Sequence, residues 1–143
     1  MSKPSQWAAC LGRVLLSLIF VMSGVHKITA WNETASQMES EGMPIVPLFL
    51  LGAIVFELLG GLSVMLGIMA RRGAVVLIIF LIPTTLIFHD FWTYEGHEQQ
   101  MQMINFMKNL AIMGGLFVVA ALGPGGCCLL DNKSPQHMSN IGQ

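Results

Sequence analysis

The chain has 143 residues, of which 54% are hydrophobic and only 10% charged, with a mean hydropathy of +0.66. Soluble domains are about a quarter charged, so this chain lacks the polar shell that a water-soluble core needs, and lipid is its solvent. A net charge of −1 with seven scattered Lys and Arg excludes a nucleic-acid binder, and three cysteines without a C-x-x-C spacing exclude a disulfide scaffold or zinc module.

A hydrocarbon layer about 30 Å thick takes about 20 apolar residues of helix. Four such windows occur: Trp7 to about Thr29, about Val46 to Ala70, Gly73 to Trp92, and Ile104 to about Gly123. Each break between them is polar or rich in Gly and Pro. Unbroken windows of this length fit helices, not alternating barrel strands. The expected fold is all-α: a four-helix up-down bundle forming one transmembrane domain over residues 1–130. Residues 131–143 are polar and aperiodic and are expected to be a disordered cytoplasmic tail. Lys3 precedes the first span, which is too long for a signal h-region and has no small-x-small exit, so a retained helix is expected.

Lys3, Arg71, Arg72 and Lys133 fall in the N-terminal segment, the second connection and the C-terminal tail, while the first and third connections hold no Lys or Arg. The positive-inside rule then places both termini in the cytoplasm. Trp7 marks the inner edge of the bilayer, and Trp31, Trp92 and Tyr94 mark the outer edge.

Ionisable residues inside a span are costly and normally face the bundle interior. Counting about 1.5 Å of rise per residue from the cytoplasmic ends puts Arg13 at about 9 Å, Glu57 at about 20 Å, Lys108 at about 21 Å, His89 at about 24 Å and Lys27 at about 30 Å. Glu57, Lys108 and His89 therefore share a level in the outer half. Arg13, Ser17, Phe20, Gly24 and Lys27 fall on one stripe of the first helix, and Asn105, Lys108 and Asn109 share a face of the fourth. Glu57 is followed at i+3 and i+4 by Gly60 and Gly61, which let a neighbouring helix come close. Pro83 is expected to bend the third helix below His89. An outward-facing polar pocket follows from these placements. A Glu57–Lys108 pair also fits a plain buried clasp between the second and fourth helices, but the layer holds more polar groups than a clasp uses.

Gly12-Arg13 with Ser23-Gly24 and Lys27, Glu57-Leu58-Leu59-Gly60-Gly61, Arg72-Gly73-Ala74, His89 with Phe91, and Phe106 to Ala111 with Gly114-Gly115 and Gly123-Pro124-Gly125 form an ordered set. Taken together, this set resembles the DoxX family of small bacterial and archaeal four-helix membrane proteins, from about Leu11 to Asp131. The resemblance implies a multi-pass inner-membrane protein, in a family named after a membrane subunit of a thiosulfate:quinone oxidoreductase. Its usual polar positions would be Arg13, Lys27, Glu57, His89, Lys108 and Asn109.

Glu57 is expected to hold or pass a proton, Lys108 to stabilise an oxyanion together with Lys27, and His89 to donate to or accept from a ligand. Arg13, Lys27, Asn105 and Asn109 would complete the binding site. Quinone is the cofactor the resemblance suggests, with a partner subunit or a second copy of the chain as protein partner. No flavin, nicotinamide, haem or iron–sulfur motif occurs, and no metal site is specified. His89, His97, Met101, Met103 and Met107 carry soft ligands for Cu(I), although Met serves as apolar filler throughout the chain. Cys10 with Cys127 and Cys128 at the inner surface allows a thiol relay, without the spacing that would specify one. The other function classes open to this sequence are a non-enzymatic scaffold or assembly factor and a small transporter.

Overall fold

A computed structural model describes residues 3–125. The expected tail, with Lys133, lies outside the described residues, as do Cys127 and Cys128. Five helices run in order: α1 Lys3–Thr29, α2 Trp31–Ser40, α3 Val46–Leu66, α4 Ala70–Phe88 and α5 Gly96–Leu122, with a 3-10 turn at Phe91–Thr93 between the last two. Four of them are long and apolar enough to cross a membrane, and no strand occurs among the described residues. The expected all-helical membrane bundle is therefore present.

The connections explain the boundaries. Ile45 takes a left-handed conformation before α3, and Pro47 sits in its first turn, where no intrahelical amide partner is lost. α3 ends at Leu66, not at Ala70 as hydropathy suggests, because Gly67 and Met69 both adopt positive φ and turn the chain into α4. The Ser63 hydroxyl donates to the Ile68 carbonyl across this turn (2.6 Å). The regular helix α4 ends at Phe88, so His89 caps it and Asp90 lies beyond it, while the apolar span continues through the 3-10 turn to Thr93, as the expected third span to Trp92 does. α5 begins at Gly96, two turns before the expected Ile104; its first residues are helical but too polar for an apolar window.

The unexpected element is α2. Its sequence is polar on average, yet Trp31, Ala35 and Met38 follow i, i+4, i+7 spacing and pack against Val46, Leu50, Ile54 and Phe88. A short amphipathic helix thus lies across the outer ends of the spans.

Packing runs α1 on α3, α3 on α4 and α4 on α5. Small residues set the approaches. A Cβ at Gly24 would meet Leu58 at 2.8 Å, and one at Gly73 would meet Ser63 at 2.6 Å and the Gly60 carbonyl at 3.1 Å. α1 and α5 meet toward the cytoplasmic end, where Leu16 packs on Gly115 and the Arg13 guanidinium donates to the Pro124 carbonyl. The main core, Phe20, Val64, Ala74, Leu77, Ile78, Leu81 and Leu116, fills this inner half. Most other large apolar side chains face outward, as a protein solvated by lipid requires.

Candidate functional site

Above that core the four long helices enclose a cavity of about 560 Å³ in the outer half, roofed by Glu33, Thr34, Gln37 and Met38 of α2. Of the seven residues singled out from sequence, six line it: Lys27, Glu57, His89, Asn105, Lys108 and Asn109. Lys27, Asn105, Lys108 and Asn109 come from the helix faces on which their spacing placed them.

The best-defined part is a three-residue cluster. Glu57 of α3 is 5% exposed. Lys27 of α1 lies 3.0 Å from its Oε2 and donates to its Oε1 at 3.1 Å. Ser23, one turn before Lys27, donates to the same Oε1 at 3.0 Å and accepts from the Lys27 ammonium at 2.6 Å. A buried carboxylate is held in this way by an ammonium and a hydroxyl from one neighbouring helix, which compensates much of its desolvation. Gly24 permits the approach, since it lets α1 sit against Leu58 and the Glu57 stem.

Glu57 is thus paired with Lys27, not with Lys108. Lys108 has an exposed ammonium that donates to Asn105 Oδ1, its i−3 neighbour, at 2.9 Å. Equal height was the right criterion for the layer but not for the partner. The helix order puts α3 directly against α1, with α4 as its other main neighbour.

His89 Nδ1 lies 2.9 Å from Gln102 Oε1, so α5's polar extension fixes the imidazole at the end of α4. Asn109 is buried and donates to Thr85 Oγ1 at 3.1 Å, and Thr85 donates to the Leu81 carbonyl at 2.7 Å. Asn109 therefore joins α5 to α4 as well as lining the cavity. Pro83 also lines it, inside a helix that continues through the proline. Having no amide hydrogen, Pro83 leaves the Ile79 carbonyl without its usual donor.

Arg13 belongs elsewhere. It is 4% exposed at the cytoplasmic end, bonded to the Pro124 carbonyl, with Cys10 Sγ 3.9 Å away and its guanidinium packed over Gly67. It shares a stripe with Lys27 but lies about four turns below, so a ligand in the cavity does not meet it. The sequence reading missed Ser23, His26, Glu33, Thr34 and Gln37 as lining residues. Ser23 was findable as the i−4 neighbour of Lys27. The α2 residues were not, because a short helix of polar composition leaves no apolar window in the sequence.

Fold and site together define a class: a small multi-pass helical membrane protein with an outward, polar-lined cavity between its spans. The sequence profile of the DoxX family matches residues 8–90, and the chain belongs to that family. It is 33% identical over 119 residues to inner membrane protein YphA of Escherichia coli (strain K12), covering 83% of this chain and 85% of that protein. To inner membrane protein YqjF of the same organism it is 34% identical over 127 residues, covering 87% and 91%. A more distant relative, the surfeit locus protein 4 homolog of Drosophila melanogaster, is 23% identical over 134 residues, which is 92% of this chain and 43% of that protein. No solved structure matches. With its four candidate spans and these relatives, the chain is a multi-pass protein of the inner membrane.

Proposed function

We propose that this DoxX-family protein is the membrane subunit of a redox-linked complex and binds a quinone-like or anionic small molecule in the cavity between its helices. The observation that carries the reading is convergence: six polar residues chosen from sequence by depth and face, from three helices and the cap of a fourth, line a single cavity. Lys108 and Asn105 are placed to donate to a ligand carbonyl or oxyanion, and His89 can exchange a hydrogen bond with it. Ser23, Lys27 and Glu57 hold a carboxylate beside that space, a group able to keep or pass a proton. Aromatic side chains supply the apolar remainder that ligand sites generally have.

The test is native mass spectrometry of protein extracted gently from its membrane. A co-purifying quinone or organic anion that Glu57→Gln and Lys108→Met each release, with insertion unchanged, supports the reading. Recovery of bare protein with no ligand and no partner subunit refutes it. A second reading, a non-enzymatic scaffold, has one observation in its favour: the Ser23–Lys27–Glu57 cluster is internally satisfied and joins α1 to α3. On that reading Glu57→Gln disturbs folding and leaves no ligand to lose.

A further inference from the structure

We infer that the ligand of this cavity is an amphiphile of the bilayer, whose hydrocarbon chain lies in a lateral cleft between the outer halves of α3 and α4. The inference rests on the ligand-site reading above and specifies the kind of molecule and its route of access.

The cavity has two kinds of wall. One carries the polar cluster. The other is formed by Phe49, Gly52 and Phe56, which follow spacings of three and four along α3, facing Phe80, Thr84 and Ile87 of α4. Phe49, Phe56 and Ile87 are 46%, 45% and 37% exposed, so residues that line the cavity also face the surrounding lipid. On that side the cavity is open to the bilayer. The cleft closes toward the cytoplasm, where Phe56 stacks on Phe80 with ring centroids 6.3 Å apart and Gly60 meets Gly73 and Leu77. The aqueous side is roofed instead by α2, which Met38 anchors into the core. A molecule therefore reaches the polar cluster more readily from the membrane than from water.

Gly52 adds an independent argument. It sits inside α3, where glycine is a poorer helix former than alanine. A Cβ there would meet nothing within 4 Å, so no close helix approach accounts for it. A larger side chain at this position would project into open space in the cleft. Glycine keeps that space available for a chain, while the polar end of the same molecule meets Lys27, Glu57 and Lys108.

The experiment is equilibrium binding to the whole protein in lipid nanodiscs, with two probes sharing one head: decylubiquinone and the same benzoquinone without its alkyl chain. Gly52→Ala, Gly52→Leu and Gly52→Trp form a graded series. Gly114→Leu is the control, because Gly114 also has nothing within 4 Å but does not line the cavity. Decylubiquinone binding should fall at least tenfold from Gly52→Ala to Gly52→Trp, with chainless-head binding held within twofold and Gly114→Leu like the parent protein. Equal binding of decylubiquinone across the series overturns the inference, as does parallel loss of both probes. If the parent protein binds neither quinone, the redox-ligand reading fails, and the cleft is judged by its chain alone. Palmitic acid with a mid-chain diazirine should then label α3 near Phe49 and α4 near Ile87 in the parent, and lose that labelling in Gly52→Trp. Labelling spread evenly over lipid-facing residues such as Leu59 and Leu122, unchanged in Gly52→Trp, overturns the cleft as well.

Discussion

Replacing Lys27 with Met removes the ammonium 3.0 Å from Glu57 and leaves a carboxylate that is 5% exposed without its charged partner. With an effective dielectric of about 20, the lost attraction at that distance is about 5 kcal/mol. Desolvation offsets part of it, and breaking one side of a buried pair generally costs about 3–5 kcal/mol. Lys27 is 21% exposed and Ser23 still donates to the carboxylate, which places this case at the lower end, about 3 kcal/mol. Removing both charges, in Lys27→Met with Glu57→Leu, strands no charge, although the Ser23 hydroxyl loses both partners, and should return stability to within about 1 kcal/mol of the parent. Lys108→Met is the internal comparison. That ammonium is exposed and bonds to Asn105, so its loss should cost less than about 1 kcal/mol. Reversible unfolding in bicelles measures all three values, and Glu57→Leu alone completes the double-mutant cycle. A Lys27→Met cost below 1 kcal/mol together with a larger cost for Lys108→Met would refute the pairing and reinstate a clasp between α3 and α5.

The close helix approaches give a second contrast: Gly73→Ala should destabilise by about 1–3 kcal/mol, because its Cβ meets Ser63 at 2.6 Å, whereas Gly114→Ala should be neutral or stabilising by up to about 1 kcal/mol. The same unfolding assay reads both. Asn109→Leu leaves the Thr85 hydroxyl without its α5 donor and should cost about 1–2 kcal/mol, with Asn109→Asp no better because it cannot donate when ionised. Tyr94 is the only tyrosine, so absorbance titration reports it alone. Nearby Glu41, then burial, Asp90 and Glu98, push its phenol above the usual value. Carboxylates oppose formation of the phenolate, so Glu41→Gln should move the titration to lower pH, and added salt should do the same. A midpoint unmoved by Glu41→Gln would show that the two groups are not neighbours.

The membrane class, the four long helices and most of the cavity lining were legible in the sequence because lipid imposes severe constraints on it. A charge inside a span normally faces the interior, so depth and helical stripe select Lys27, Glu57 and Lys108, with Asn109 beside Lys108, without any structure. Pairing was not legible in this way. Glu57 and Lys108 lie at similar depth, and only the lateral order of helices shows that Lys27 is the nearer cation. Arg13 misled for a related reason. Its stripe was right, but a stripe runs the whole length of a helix and contains more than one environment. α2 was missed because a ten-residue interfacial helix with polar average composition produces no apolar window, and its Trp31–Ala35–Met38 spacing becomes informative only once there is a surface for it to cover. The early start of α5 was hidden likewise, since helix and hydrocarbon span need not coincide.

The bond between Arg13 and the Pro124 carbonyl joins positions 111 residues apart, across the first and last helices. During synthesis the guanidinium enters the bilayer with α1, and this acceptor arrives only after α5 has been made. Every intermediate with one to three spans therefore carries an arginine lacking its Pro124 contact near the cytoplasmic surface. Completion of the last helix is thus coupled to a contact of the first, so the junction marks a finished bundle.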